Sequence, residues 1–379
     1  MHGIQSKFCT VTFVTGHYYL SLRRAGFHNL ADAAHRLGHR VNFVTAGYSL
    51  LSYLRRDYRT KIPGIRANCN QPVEIRPGFI SYVHFTPWHP HTLVLPGLDR
   101  LTRPFMDQYG EGDLGRLLPL VKETDIFVFE SMSGLFLFRR FQRENPTARM
   151  IYRVSDDVRI LGSTHPRLVE LEQEIAPDFD GVSVPCSWML DLFPGLPTLR
   201  LHHHGLDTQA YDACAVSPYR TGNNAIFVGT GYLDVDFLYN AVLANQDVNF
   251  HVIGPLPRAF SAKNLHCYGE MPFPATIPYI KFADIGLGTR TFRGGYSASL
   301  TDSLKIQQYR YCGLPIISPD FIQMQRKGVF YYTPGDSQSI NQAVRDALAH
   351  GKAPACAGEV RSWDAVIQDL FSDIQEAAA

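Results

Sequence analysis

Short apolar runs of strand character alternate with helical segments along most of this chain, and that alternation leaves few folds open. Phe8–Thr15 reads as a strand, Leu22–Leu37 as a helix closed by Gly38, and Arg40–Val44 as the next strand, together one βαβ unit. Asp125–Phe129, Met150–Val154, Gly181–Val184 and Thr198–His202 are further buried-strand candidates. A second series follows His204-Gly205-Leu206-Asp207, with strands at Ala225–Val228, Phe250–Ile253, Asp284–Leu287 and Pro315–Ile317. Helices are expected at Asp236–Asn245, Ala275–Phe282 and Ile340–His350, and a terminal helix from Trp363 to about Gln375. Such alternation builds open, parallel-rich sheets covered by helices, and 379 residues supply material for two cores. The expectation is two doubly wound α/β domains, residues 1–206 and 207–362, with the terminal helix 363–379 completing the first. In such folds ligands lie beyond the C-terminal ends of the strands, here expected in a cleft between the domains.

Composition narrows the class further. With 45% apolar residues and a mean hydropathy of −0.12, the chain reads as soluble and globular. Its seven cysteines (Cys9, Cys69, Cys186, Cys214, Cys267, Cys312 and Cys356) are scattered without a CxxC spacing and read as reduced thiols. Ile4–Val14 contains Lys7 and alternates like a strand, so no secretory signal is expected. No apolar run approaches the roughly 20 residues that span a bilayer. The net charge of +1 hides an asymmetry: residues 1–104 carry 13 Lys and Arg against 4 Asp and Glu, so the remainder is net acidic. That polarity marks the first domain as the one facing an anionic surface or substrate.

Residues 48–104 do not follow the alternation. Tyr53, Leu54, Arg55, Arg56, Arg59 and Lys61 lie in a basic, aromatic stretch, followed by Pro-rich sequence with Phe79, Tyr82, Phe85 and Trp88. Arginines among Trp, Tyr and Leu suit peripheral contact with anionic lipid headgroups, each basic residue contributing about 1 kcal/mol. The same stretch also suits a solvated helix with a half-buried apolar stripe.

The second half carries the local chemistry. Thr301–Ser318 reads as a helix, a stop at Gly313 and Pro315, and a short buried strand at Ile316-Ile317. Thr301, Asp302 and Ser303 are N-cap residue types; a helix start offers unpaired N–H groups and a positive dipole end to an anion. Lys305 adds a full charge there and Gln308 shares its face, although an amphipathic helix with a solvated lysine has the same spacing. Phe227-Val228-Gly229-Thr230-Gly231 and His251-Val252-Ile253-Gly254 are strands running into glycine turns, where backbone approaches phosphate closely. In Tyr268-Gly269-Glu270-Met271 a carboxylate stands where it accepts both ribose hydroxyls, or caps a helix.

Taken in order, these pieces form the pattern of the C-terminal domains of GT-B glycosyltransferases. The chain resembles the bacterial glucuronosyltransferases of glycosyltransferase family 70 over nearly its whole length, residues 48–104 and the last forty most loosely. The resemblance is carried by Asp125-Ile-Phe-Val-Phe-Glu-Ser131, Ile151-Tyr-Arg-Val-Ser-Asp156, His204-Gly-Leu-Asp207, Phe250-His-Val-Ile-Gly254, Tyr268-Gly-Glu-Met271 and Tyr279-Ile-Lys281. The Lys305 helix with Gly313-Leu-Pro315, and Tyr332-Thr-Pro-Gly335, extend it. The resemblance implies a GT-B fold, two Rossmann-like domains facing a central cleft. It implies inverting transfer of glucuronate from UDP-glucuronate to the mannose of a polyprenyl-diphosphate-linked oligosaccharide, β-1,2 linked, in exopolysaccharide synthesis. The enzyme would sit peripherally on the cytoplasmic face of the bacterial inner membrane, its first domain holding the acceptor against an anionic surface.

By the same resemblance Asp156 is the general base that an inverting single displacement needs. Its neighbour Asp157 stays open as an alternative, and the pair also suits N-capping before Val158–Leu161. Leu304, Lys305 and Gln308 fall on the donor side with Gly229, Thr230, Gly231 and Gly254, and Glu270 and Met271 fall near ribose and uracil. Arg290 stands where the characterised relative has Tyr, and Gly231 where it has Met. A guanidinium at 290 suits a carboxylate or a diphosphate.

No cofactor or metal is expected. Asp234-Val-Asp236 has a DxD form but precedes a helix that it reads as capping, and successive residues of His202-His203-His204 alternate faces. No nucleic-acid module is recognisable, and oligomeric state stays open. Competing readings are a transferase for another UDP- or GDP-sugar, a UDP-sugar epimerase, and a silent nucleotide-sugar-binding subunit.

Overall fold

The computed structural model describes residues 8–92, 97–160, 164–229, 233–256, 260–291, 301–324, 326–354 and 360–376. Contacts divide the chain into two units: residues up to His203 together with those from Trp363 onward, and His204–Ser362.

The first unit is built on eight strands: β1 (Thr10–Thr15), β2 (Arg40–Ser49), β3 (Pro72–Arg76), β4 (Phe79–Thr86), β5 (Ile126–Glu130), β6 (Arg149–Arg153), β7 (Gly181–Val184) and β8 (Leu199–Leu201). Their order is β3-β4-β2-β1-β5-β6-β7-β8, parallel throughout except that β3 runs antiparallel to β4. The chain winds outward from β1 to β2 and β4, then returns to the other side of β1 with β5 and winds outward again. Between β1 and β5 the connections leave in opposite directions, and a crevice opens at the strands' C-terminal ends. Both strands are buried, with Val14, Phe127 and Phe129 in the core alongside Tyr152 and Val182. Parallel strands covered on both faces need such continuous apolar runs.

The terminal helix, Trp363–Glu376, packs on this unit. Trp363, Val366, Ile367, Leu370 and Ile374 are buried at the spacing of one helical face. Arg36 of the helix Gly26–Arg36 pairs with Asp364 at 2.5 Å, and the rings of His39 and Phe371 meet at 5.4 Å.

The second unit has six strands, all parallel: β9 (Asn223–Val228), β10 (Val248–Ile253), β11 (Leu265–Gly269), β12 (Ile285–Leu287), β13 (Ile316–Pro319) and β14 (Val329–Tyr332). The order β11-β10-β9-β12-β13-β14 places its switch point between β9 and β12. Ala225, Phe227, Phe250, Val252, Ile285 and Leu287 form the centre of its core.

Some sequence expectations shift. The first helix begins at Gly26, four residues later than its apolar pattern suggests, because the Ala25 N–H is held by His28 Nδ1 at 3.0 Å. The aromatic, Pro-rich stretch that breaks the alternation contains the β3–β4 hairpin, turned at Gly78 with φ +76°. Pro72 is tolerated there because it opens the edge strand. No described helix is long and apolar enough to cross a membrane.

Candidate functional site

At the β1/β5 switch the loops after three strands are tied together. Glu130, the last residue of β5, is buried, and its carboxylate accepts hydrogen bonds from Thr15 Oγ1 of β1 and from Ser155 Oγ (2.9 Å) beyond β6. The next residue, Ser131, accepts the backbone N–H groups of both Ser155 and Asp156 at 3.0 Å through its hydroxyl. The backbone carrying Asp156 is thereby fixed to the end of β5, and the Asp156 side chain is exposed at the C-terminal edge of the sheet.

Asp157 has a different fate. It is buried, and its carboxylate accepts the Arg159 backbone N–H at 2.9 Å and the Arg159 guanidinium at 2.6–3.1 Å. The N-capping expected of the pair is not found: Asp157 closes a turn at Arg159 rather than capping a helix.

His17, two residues past β1, stands over Glu130 with Nε2 3.6 Å from Oε1. Burial alone would lower its pKa, but the charge and hydrogen bond of Glu130, with a smaller push from Asp156, raise it above the ordinary histidine value. Burial likewise pushes Glu130 upward, but the His17 charge and the hydrogen bonds from His17, Thr15 and Ser155 together outweigh it, so the carboxyl is held below its usual range. A cleft of about 590 Å³ opens beside His17, lined by Gly47, Asp57, Arg59, His89 and His165 among others.

Arg59 corrects one expectation. Rather than meeting lipid, it is 8% exposed, pairs with Asp57 at 2.6 Å and donates to the Gly16 and Gly47 carbonyls at 2.7 and 2.8 Å. A cation placed to satisfy two carbonyl groups and a carboxylate is a structural clamp on the cleft wall. Tyr53, Leu54, Arg55, Arg56 and Lys61 are exposed. Sequence reasoning overlooked the helix Leu98–Gly110, where Leu101 and Phe105, four residues apart, are 71% and 54% exposed beside exposed Arg100.

In the second unit the corresponding switch is lined by backbone. Gly254 follows β10 at φ +132°, and a Cβ there would lie 1.9 Å from the Gly229 carbonyl oxygen. Gly229 N–H donates to Ile253 (3.0 Å), and Gly254 N–H to the Gly269 carbonyl (2.8 Å). Glycine at 254 is thus required by the packing of two strand ends, independent of any ligand. Gly229 leaves room for a cation: its added Cβ would stand 3.3 Å from Lys305 Nζ.

Lys305 is the second residue of the helix Leu304–Tyr311, whose N-cap, Ser303, makes no side-chain cap. Its ammonium lies 3.6 Å from the Phe227 ring centroid, over the end of β9. Burial first, and then the charge of Arg290 just beyond β12, press its pKa well below the usual lysine value. Two cations therefore converge at the β9/β12 switch, an arrangement an anion relieves. Tyr309 fixes the helix there, donating to the Ile226 carbonyl at 3.0 Å and lying where a Gly286 Cβ would come within 2.5 Å of its ring.

Leu304 is half-buried in the helix's first turn, and Gln308 is buried one turn beyond Lys305. Glu270 is exposed just after β11, while Met271 packs against the core. Thr230 and Gly231 lie outside the described residues. Asp302 is not a cap; it is buried, accepting from Gln307 Nε2 at 3.0 Å and from Arg326. Asp234 caps the helix Val235–Ala244 through the Phe237 N–H at 3.0 Å and also accepts from Tyr332. Among the described residues no cluster of three or more His, Cys, Asp or Glu is arranged to hold a metal ion.

Comparison with known proteins agrees on the class. Residues 13–185 match the family model for the N-terminal domain of the glucuronosyltransferase GumK. The UDP-glucuronate:glycolipid 2-beta-glucuronosyltransferase of Xanthomonas campestris pv. campestris is 28% identical over 338 residues, 88% of this chain and 83% of that protein. Among solved structures, the trehalose-6-phosphate synthase OtsA aligns with TM-score 0.53 at 12% identity over 97% of each chain. A glycosyltransferase from Rickettsia africae ESF-5 aligns with TM-score 0.52 at 9% identity, over 98% of this chain and 94% of that one. At such identity the structural likeness concerns the fold.

Proposed function

We propose that this chain, a GumK-like glycosyltransferase of the GT-B fold, moves glucuronate with inversion from UDP-glucuronate to a hydroxyl of a lipid-linked oligosaccharide. The observation that carries the reading is the convergence of Lys305 and Arg290 at the β9/β12 switch. UDP-glucuronate brings two anionic groups, a diphosphate and a sugar carboxylate, and two cations suit it better than one. The relative's activity, glucuronosyl transfer from UDP-glucuronate to a glycolipid, supports the same choice.

In this mechanism Asp156 removes the proton of the acceptor hydroxyl. The oxygen attacks C1 of glucuronate from the face opposite the diphosphate; the new O–C1 bond forms as the C1–O bond to the β-phosphate breaks. UDP leaves with its electron pair, and Lys305 with the N–H groups of its helix start stabilises the charge that develops. A charge contact at about 4 Å and an effective dielectric near 20 is worth about 4 kcal/mol, a scale relevant to catalysis. Glu270 beyond β11 would hold ribose, and the cleft beside His17 would hold acceptor sugar. By the pattern of the resemblance the acceptor is a mannose on a polyprenyl diphosphate, the linkage is β-1,2, and the pathway makes an exopolysaccharide. No metal enters these steps.

A position on the cytoplasmic face of the inner membrane belongs to the same proposal. The contact surface comprises Tyr53, Leu54, Arg55, Arg56 and Lys61, without Arg59, and it gains Leu101 and Phe105. Apolar side chains flanked by arginines suit insertion among anionic headgroups.

The test supplies the purified protein with membranes bearing lipid-linked mannosyl-cellobiose and a panel of labelled UDP-sugars. Glucuronate is incorporated; incorporation from UDP-glucose but not from UDP-glucuronate overturns the donor assignment.

A further inference from the structure

We propose that His17, held by Glu130, is a positioning residue for the transfer reaction: an imidazolium beside Asp156 that keeps the catalytic carboxylate ionised and ready. The inference rests on the reading of Asp156 as base.

Geometry carries it. A carboxylate buried as deeply as Glu130 costs several kcal/mol unless its partners repay desolvation. Thr15 and Ser155 supply two hydrogen bonds, and those alone suffice to tie the ends of β1 and β6 together. His17 adds the countercharge that helps repay the burial of Glu130. Its side chain is 22% exposed, it lines the cleft, and its backbone N–H is anchored to Thr15 Oγ1 at 3.1 Å. The imidazole thus stands between a buried anion and an open cavity at the topological switch, where substrate binds in open α/β sheets.

The charges around it favour a cation. Glu130 faces it from β5 at 3.6 Å, the charge of Asp156 in the loop after β6 acts more weakly, and both raise its pKa. Arg59 opposes them from the turn Tyr58–Lys61, but it is paired with Asp57. His28, with ring centroids 5.5 Å apart, faces it from the first helix and is neutral. Its Nδ1 accepts the Ala25 N–H, its Nε2–H donates to the Tyr18 carbonyl, and burial holds its pKa to about 3. Coupling between charges is reciprocal: if Asp156 favours protonation of His17, the imidazolium favours ionisation of Asp156 equally.

Two measurements test this. In His17→Gln the acid limb of the kcat/KM pH profile moves up by about half to one unit while UDP affinity is retained. In the unsubstituted protein, NMR titration of His17 gives a pKa above about 6.5, and Asp156→Asn lowers it. The second measurement needs no substitution at His17, so a folding defect there leaves the proposal testable. An unmoved acid limb, or a His17 titration indifferent to Asp156→Asn, overturns it. Should Asp156→Asn retain full turnover, the base assignment itself fails; if that variant is inactive and His17→Gln leaves the limb unmoved, only the role of His17 fails.

Discussion

At the β9/β12 switch the second unit presents backbone and fixed charge: glycines at 229 and 254 in mutual contact, a lysine over a ring, an arginine alongside. At the β1/β5 switch the first unit presents side chains drawn from three strands, Thr15 and His17, Glu130 and Ser131, Ser155 and Asp156. The same topological position has been furnished in two ways. Recognition of a diphosphate needs positive potential and close approach, which glycine turns and a helix start supply from contiguous sequence. On the proposed reading the base is the carboxylate left outward: a contact across strands fixes the Asp156 backbone through Ser131, while Asp157 is held locally by Arg159, two residues on.

The largest expected effect breaks that separation if it is wrong. Asp156→Asn should lower kcat by about 10³-fold with UDP affinity unchanged in calorimetry, as for loss of a general base. Asp157→Asn should act chiefly by loosening the Arg159 turn, with the smaller kinetic loss. A reversed ranking would move the base to 157.

Lys305→Met probes the other site. It should lower kcat by about 10²-fold and weaken UDP binding, since the cation acts on both bound and departing diphosphate. Intact UDP affinity with unchanged turnover would remove the lysine from the donor site.

The smallest effect sharpens the contrast between a site built on buried ionisable groups and one built on backbone. Glu172, in the helix Pro166–Ile175, is buried beneath the Asp157–Arg159 turn and accepts from Tyr152. Burial first, opposed by the Tyr152 hydrogen bond and aided by the Asp157 charge, raises its pKa from 4.5 to about 7. Between those values the unfolded chain releases its proton before the folded one, so stability falls as pH rises through the window and is level above it. Glu172→Gln should abolish that slope and stabilise the protein by about 2 kcal/mol at pH 8, read by urea unfolding across pH. A slope unchanged in the variant would assign it to other groups.

How much of this was legible can be followed residue by residue. The strand–helix alternation marked most of the strands, because parallel strands buried on both faces must be apolar in short runs. The β3–β4 hairpin escaped, since an edge hairpin rich in Pro and aromatics has neither the run nor the clean alternation. Lys305 was legible as a cation in a helix's first turn; Asp302 misled, since a residue of cap type was spent instead on Arg326. Arg59 looked like its neighbours Arg55 and Arg56 because sequence records charge and not burial. Glu130 and Ser131 lie in a motif that carries no local sign of their role, and a lone histidine after a strand, as His17 is, has no distinctive pattern.

The sequence by itself determined the architecture, because periodicity specifies strands and helices, and it showed glycines at strand ends and a lysine in a helix's first turn. It also carried an ordered set of motifs sufficient to find the family resemblance. Only the tertiary structure decided which of two adjacent aspartates faces outward, that a buried glutamate joins the ends of β1 and β6, and that one arginine of a basic cluster turns inward. The reason is physical. Burial and charge coupling depend on residues more than a hundred positions apart, as Thr15 is from Glu130, and no local pattern encodes that approach.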